Sequence, residues 1–218
     1  MDAEDIISAL RERYRSPESY EDSGYSIYRD WHGAREKVRF WTRYKSPGLL
    51  VVEQEGLNRY IVEGNRVRVV TSVDQEAEFP VDIFFMGYSG SSSLHSIVPP
   101  LLYAPWKGLS SIDSREPYVL LPQRRENRFD LMTRYSGKRL TVKADDFTIA
   151  SFSVLAPETI FEQVSRTQHE FHYESVRFNH LDSIELNFEG FDRRAGCRLL
   201  SNMKERIIQD LIKPFHFL

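Results

Sequence analysis

Two short motifs carry residue types that serve in catalysis or metal binding. The first, GYSGS at residues 87 to 91, comes near the nucleophile elbow G-x-S-x-G of serine hydrolases. Its last position is serine instead of glycine, and neither a preceding parallel strand nor a following helix is indicated. We therefore expect a flexible hinge here and no serine nucleophile.

The second motif is HEFH at residues 169 to 172. The surrounding residues alternate with a period of two, which predicts a strand with one face formed by Thr167, His169, Phe171, Tyr173 and Ser175. Positions three apart on a strand point to opposite faces, so the two imidazoles cannot bind one ion. We expect His169 to be partly buried among aromatic residues and His172 to lie on the surface beside Glu170 and Glu174.

The remaining reactive residues indicate no catalytic site. Cys197 is the only cysteine, which excludes an internal disulfide, leaves the cellular compartment open and favours an inert thiol. Asp145 and Asp146 are neighbouring carboxylates typical of a turn. There is no phosphate-binding glycine-rich loop and no dinucleotide fingerprint. We therefore assign no catalytic residue, no metal site and no cofactor.

Length and composition predict a single water-soluble domain. The chain has 218 residues, of which 41% are hydrophobic and 28% charged. Its net charge of -3 argues against a nucleic-acid partner. No apolar run approaches the ~18 residues of a transmembrane helix. The N-terminus lacks the features of a secretory signal. We expect a periplasmic or cell-envelope location if a leader has been removed, and a cytoplasmic one if Met1 is the native start.

The elements that must position any site begin with the sheet predicted from Lys37 to Thr71. Side chains alternate from Val38 to Tyr44, with Phe40 and Thr42 on the same face. Gly64-Asn65 then predicts a two-residue hairpin that places Val62 opposite Val67, Tyr60 opposite Val69, and Glu63 opposite Arg66. One face of this sheet needs an apolar cover.

Further alternating segments extend the sheet to about nine or ten antiparallel strands in meander order, enough to curl. Pro157 is expected to end the strand that starts at Phe147, and the last strand contains Ile184, Leu186 and Phe188. Helices are predicted at residues 2–14 and 201–213, the latter after a capping box of Asn202 and Glu205. The fold class is mainly β with flanking helices, an α+β arrangement.

Aromatic residues concentrate on the predicted inner face, where they either fill a core or line a cavity. The candidates for the lining are Phe40, Tyr44, Tyr60, Phe129, Tyr135, Phe147, Phe171, Tyr173 and Phe188, with His169 as a possible polar group among them. Residues 81 to 106 have apolar clusters without a strand period, interrupted by a Gly/Ser run and two prolines. They predict a flap, with the lid residues Phe84, Phe85, Met86, Leu94, Leu101 and Leu102.

The order of several segments carries a family resemblance. These segments are SYEDSGY at 19–25, FWTRYKSPGLLVVE at 40–53, YIVEGNRVRVV at 60–70, VPPLLY at 98–103 and RTQHEFHYESVRFNHLDSIELNFE at 166–189. Together they resemble the LolA-like lipoprotein-carrier superfamily over most of residues 5 to 190. The resemblance implies an unclosed antiparallel barrel covered by helices. It also implies a cavity that holds lipid or the acyl chains of lipoproteins without catalysis.

We therefore expect a binding or carrier protein for a hydrophobic ligand, held between the curled sheet and its helical lid. The expected partners are a hydrophobic small molecule or lipid and a lipoprotein or other protein. Two alternatives stay open. The first is a small enzyme that uses His169 in the same cavity. The second is an interaction module with a filled core, in which the C-terminal helix and residues 215–218 contact a partner.

Overall fold

The computed structural model describes residues 1–29, 35–56, 58–71, 76–80, 97–103, 110–113, 116–122, 127–160 and 163–184. The predicted C-terminal helix, Cys197, the GYSGS motif and most of the flap lie outside these residues. The helices are α1 (Ala3–Tyr14) and α2 (Pro99–Leu102). The strands are β1 (Ser19–Arg29), β2 (Arg35–Lys45), β3 (Leu49–Gln54), β4 (Asn58–Glu63), β5 (Arg66–Thr71), β6 (Glu76–Pro80), β7 (Tyr118–Leu120), β8 (Arg128–Thr133), β9 (Arg139–Lys143), β10 (Ile149–Ile160) and β11 (Gln163–Phe178).

All eleven strands form one antiparallel sheet in the order β6-β5-β4-β3-β2-β1-β11-β10-β9-β8-β7. Every neighbouring pair is consecutive in the chain except β1 and β11. The sheet therefore consists of two meanders joined along one seam, the pairing of β1 with β11. Its end strands, β6 and β7, do not pair with each other, so the sheet is unclosed. The predicted mainly β, curled antiparallel architecture is confirmed, and the described residues contain one strand more than the upper estimate.

The predicted hairpin between β4 and β5 is confirmed in detail. Val62 lies opposite Val67, Tyr60 opposite Val69, and Glu63 opposite Arg66. Gly64 has a φ of +57°, a conformation that glycine adopts without steric cost. The turn residues thus fix the register, and the register places Val62, Val67 and Val69 in the core.

Helix α1 covers part of the inner face of the sheet. Asp2 caps it by accepting a hydrogen bond from the Asp5 backbone, while the Asp5 side chain accepts one from the Asp2 backbone. Ile6, Ile7, Leu10 and Tyr14 are buried against the sheet. Each such apolar side chain contributes roughly 1.5–3 kcal/mol of burial free energy. The predicted N-terminal helix is therefore confirmed as a packing element.

The outer face is also apolar at one end. Val51, Ile61 and Val70 form a second buried cluster, against which Leu49 and Ile184 pack. After β11 the chain crosses the outside of the sheet, where the Leu181 N–H donates to Ser19 Oγ at 3.0 Å. The expectation that Ile184 lies in a strand is wrong, because this residue follows an irregular crossing segment.

Two predictions about strands β10 and β11 need correction. Strand β10 continues through Pro157. Its pairing with β9 ends earlier, at Ser153, so the missing N–H of Pro157 removes no hydrogen bond to β9. The pairing of β1 with β11 is irregular at one point. Ser23 and Gly24 are consecutive in β1, but their partners in β11 are Ser175 and Tyr173, so Glu174 is an extra residue in β11. This bulge at Glu174 turns Ser175 to the outer face, whereas the alternation predicted it beside Tyr173.

Candidate functional site

Five of the predicted lining residues lie together on the inner face. Phe40, Tyr44, Tyr60, Phe171 and Tyr173 are each at most 5% exposed and belong to one continuous apolar cluster. The ring of Phe40 packs edge-on against Tyr173, with centroids 5.3 Å apart. This part of the inner face is therefore filled with side chains beneath the elements that cover it.

Gly24 allows this packing at the seam. A Cβ atom on Gly24 would lie 2.0 Å from the His172 carbonyl oxygen and 2.9 Å from Phe40 Cζ. Both distances are shorter than van der Waals contact allows. The absence of a side chain thus lets β1 and β11 approach at the bulge and lets the Phe40 ring lie over the backbone.

A buried polar group lies in the same core and was missed by the sequence analysis. Asp22 is 1% exposed on the inner face of β1, where it pairs with Thr42 of β2. The Tyr20 hydroxyl donates a hydrogen bond of 2.7 Å to Asp22 Oδ2. Burial raises the pKa of Asp22 to about 7, although Tyr20 and Thr42 moderate the rise. In the sequence, the alternation of Tyr20, Asp22 and Gly24 was the pattern that indicated that the Asp22 carboxylate points to the inner face.

The polar group extends to α1 through Tyr14. The Tyr14 hydroxyl accepts a hydrogen bond from the Ile149 backbone at 3.1 Å, which ties α1 to the start of β10. Burial raises the pKa values of Tyr14, Tyr20 and Tyr173 above the ordinary range of tyrosine, and the nearby Asp22 adds to each. All three phenols therefore stay neutral; Tyr14 and Tyr20 form hydrogen bonds, whereas the buried Tyr173 hydroxyl has no hydrogen-bond partner among the described residues.

Open space lies at the other end of the inner face. Phe129 and Phe147 are stacked with their centroids 6.3 Å apart, and both are only partly buried. Phe147 borders the first cleft, of about 520 Å³, together with Ala9, Arg13, Pro17 and Phe178. We call this the α1 cleft. Phe129 borders the second, also of about 520 Å³, which includes Met1, Leu120, Leu121, Pro122 and Asp130. We call this the β8 cleft.

The α1 cleft combines an apolar wall with charged residues of both signs, which include Glu12 and Asp146. The Arg13 guanidinium lies 4.2 Å from the centroid of the Phe178 ring, in a cation–π contact. Arg15 also borders the cleft but lies 3.4 Å from the carboxylate of Glu12. The cleft could therefore accept an apolar chain along its rings and a polar head at its rim.

The other predicted lining residues differ in position. Tyr135 is 78% exposed in the turn after β8, so its place on the inner face is corrected. The strand ends at Thr133, and the alternation does not extend through the turn. Phe188 lies outside the described residues.

Two of the predicted lid residues are described. Leu101 and Leu102 belong to α2 and are buried in the same cluster as the inner face. The next residue, Tyr103, donates a hydrogen bond from its hydroxyl to the Gly64 carbonyl oxygen at the β4–β5 turn. Phe84, Phe85, Met86 and Leu94 lie outside the described residues. The end of the predicted flap thus packs onto the sheet.

The two histidines point to opposite faces of β11, in line with their spacing. His169 is on the inner face, 4.6 Å from Tyr28 between ring centroids, and burial lowers its pKa to about 4. Among the described residues no side chain hydrogen-bonds to its ring. His172 is on the outer face, stacked on Tyr25 and 3.3 Å from Glu170. His169 is thus a neutral imidazole at ordinary pH.

The described part of the chain contains no group of three acidic, histidine or cysteine side chains that could bind a metal ion. None of its helices is both long enough and apolar enough to cross a bilayer.

The comparisons with known proteins give structural neighbours only. No family model matches the sequence, and no curated protein matches it. A LolA superfamily protein, NE2245 from Nitrosomonas europaea, is 13% identical with a TM-score of 0.37, over 83% of this chain and 95% of that one. A DUF1329 family protein from Desulfovibrio piger is 9% identical with a TM-score of 0.42, over 86% and 97%.

A third neighbour is an outer-membrane lipoprotein-sorting protein domain from Vibrio parahaemolyticus. It is 9% identical, with a TM-score of 0.36, over 84% of this chain and 94% of that one. Each of these likenesses is one of overall fold at low sequence identity.

Proposed function

We propose that the protein binds and carries a hydrophobic ligand, such as a lipid or the acyl chain of a lipoprotein, on the inner face of its curled sheet. The observation that carries this proposal is the stacked pair Phe129 and Phe147. These two large rings remain partly exposed at the end of the apolar cluster, with a cleft beside each. Large apolar groups on an open concave surface are typical of binding sites.

The energetics of an acyl chain fit this site. Burial of each methylene is worth ~0.8 kcal/mol, so eight methylenes give roughly 6 kcal/mol before the cost of ordering. Each cleft also falls within the range of about 300–1,000 Å³ typical of small-molecule sites. A polar anchor is not needed for such affinity, and the charged rim, with Arg13 and Arg15 beside Glu12 and Asp146, would face a polar head group.

A cleft-filling substitution tests the proposal. Ala9 borders the α1 cleft, whereas the neighbouring Ser8 is exposed and borders neither cleft. We expect Ala9→Trp to weaken binding of a pyrene-labelled fatty acid by about tenfold or more, and Ser8→Trp to leave it within about twofold. Native mass spectrometry of the purified protein should also detect retained lipid. Absence of both probe binding and retained lipid would overturn the proposal.

The filled inner face favours a second candidate. Phe40, Phe171 and Tyr173 leave no open space around Gly24, as expected for a protein-interaction module with a packed core. If the Ala9→Trp and wild-type proteins bind the probe equally weakly, this second function is preferred.

A further inference from the structure

The central strands extend beyond their neighbours on one side. Strand β2 begins at Arg35, but its pairing with β3 begins only at Phe40, opposite Gln54. One further backbone bond joins Glu55 N to the Arg39 carbonyl oxygen at 2.9 Å. In the described part of the chain, residues 35–38 of β2 therefore form an open edge, paired only with β1.

The backbone at this edge is oriented for further pairing. In an antiparallel sheet, alternate residues direct their N–H and C=O groups to the same side. The Arg39 carbonyl points toward β3, so the backbone groups of Lys37 and Arg35 point the same way, beyond the end of β3. Such a row of backbone donors and acceptors is a template for an added strand.

The side chains along this edge concentrate positive charge on one face of β2. Arg35, Lys37 and Arg39 share the outer face of β2, and all three are exposed. Arg35 lies directly opposite Arg29 of β1, a like-charge pair that destabilises a sheet. No described carboxylate lies within 4.0 Å of Arg35, Lys37 or Arg39. The chain as a whole has a net charge of -3, so this cationic edge is a local feature.

Aromatic rings lie beneath the cations. The Lys37 ammonium lies 3.8 Å from the centroid of the Tyr25 ring, and Tyr25 stacks on His172 at 4.8 Å. Arg29 lies 3.7 Å from Glu170, the only carboxylate paired with it among the described residues. The three cations of β2 are therefore presented on the outer face without an ion pair to a described carboxylate, although Glu55 bonds through its backbone to Arg39.

We propose that residues 35–39 of β2 bind an acidic, extended segment of a partner polypeptide by β-strand addition. Alternate residues of such a strand lie roughly 6.6–6.8 Å apart, which matches the spacing of Arg35, Lys37 and Arg39. Opposite charges across strands are favourable, and like charges oppose pairing with a second copy of β2. An anionic membrane would contact the side chains but leave the backbone edge unused.

The test is the binding of a fluorescein-labelled peptide of alternating glutamate and threonine, measured by anisotropy. We expect the double variant Arg35→Glu with Arg39→Glu to lose about tenfold or more in affinity and to gain affinity for the lysine counterpart of the peptide. The matched control is Arg134→Glu with Arg139→Glu, which changes the charge equally at exposed residues of the β8–β9 hairpin. This control should stay within about twofold.

A third variant, Lys37→Pro, separates strand addition from attraction to an anionic surface. It removes the edge N–H but keeps both arginines, and proline is tolerated on edge strands. We expect this variant to lose affinity for the peptide. Any binding of the wild-type protein to vesicles that contain phosphatidylglycerol should be kept, because both arginines remain. If this variant does not fold, slower hydrogen exchange of the Lys37 amide on addition of the peptide to the wild-type protein gives the same information.

Two results would overturn the proposal. One is absence of binding by the glutamate peptide. The other is binding that depends on Arg35 and Arg39 but not on the Lys37 amide, which indicates a general anionic surface such as a membrane.

Discussion

Asp22 shows how burial changes the chemistry of a single residue. Its carboxylate is enclosed by Tyr20, Thr42 and the aromatic rings of the inner face, with one strong donor, the Tyr20 hydroxyl. The charged form is poorly solvated, so its pKa rises from 3.8 to about 7. A proton is therefore held inside the core over the acidic pH range.

This proton predicts a pH dependence of stability. Between about pH 4 and 7 the native state holds a proton on Asp22 that the unfolded chain has released, so the free energy of unfolding falls as the pH rises through this window. Asp22→Asn removes this contribution. We expect the variant to gain stability relative to the wild type from pH 4 to pH 8, by at most about 4 kcal/mol.

Urea unfolding at several pH values measures this difference. His169, whose lowered pKa gives the opposite slope, is present in both proteins and cancels in the comparison. The exposed Asp145 provides a control, since Asp145→Asn should show no such trend. Parallel stability curves for Asp22→Asn and the wild type would contradict the prediction.

At the residue scale, alternation predicted the aromatic core but not its polar group. Phe40, Tyr44 and Tyr60 were placed correctly because each lies inside a regular strand with a clear period of two. Tyr135 was placed wrongly because the alternation does not continue into a turn. Asp22 was missed because an acidic residue in an extended segment is usually exposed, and its burial depends on α1 and β11.

At the scale of elements, the seam between β1 and β11 depends on a glycine. The bulge at Glu174 and the close approach of the His172 carbonyl oxygen leave no room for a Cβ on Gly24. The seam would have to open to accept one, and this would disturb the packing of Phe40 against Tyr173.

We therefore expect Gly24→Ala to destabilise the protein by about 3 kcal/mol, since overpacking against fixed backbone is costly. Gly48→Ala is the matched control. A Cβ on Gly48 would lie 3.9 Å from Tyr103 Cε2, an ordinary contact. The control should change stability by less than about 1 kcal/mol. Thermal and urea unfolding of both variants would measure the effects, and equal stability of the two would contradict the role assigned to Gly24.

Short sequence patterns predicted an element correctly where a turn or a cap residue defines its geometry. The β4–β5 hairpin followed from Gly64-Asn65, and α1 followed from Asp2 with its apolar stripe. The predicted end of β10 was wrong because Pro157 prevents strand pairing only on the side where a neighbouring strand needs its N–H. The bulge at Glu174 required knowledge of the partner strand, which alternation within one strand does not contain.

At the scale of the whole molecule, the strands of the two meanders pair with each other only at the β1–β11 seam in the described part of the chain. Consecutive pairing of strands was predictable from short connections. The pairing of β1 with β11 was not, because it joins residues roughly 140 to 160 positions apart in the chain, from Arg29 opposite Gln168 to Tyr20 opposite Phe178. The unclosed shape entered the prediction through the family resemblance.

The strand order predicts a gradient of hydrogen exchange. β1 has five strands on each side, whereas β6 and β7 are the end strands of the sheet. We expect amides of β1 and its partner β11 to exchange slowest and those of β7 to exchange fastest, since end strands open with little loss of packing. Hydrogen exchange followed by mass spectrometry measures this order. Equal protection of β7 and β1 would contradict it.

The seam also has a consequence during synthesis on the ribosome. β1 is made before its partner β11, which appears roughly 140 to 160 residues later. At 5–20 residues per second this delay lasts roughly 8 to 30 seconds. The first meander can form in that time, yet the β1 edge that β11 will cover remains open. The nascent chain therefore passes through a stage in which chaperones or other chains can reach the middle of the future sheet.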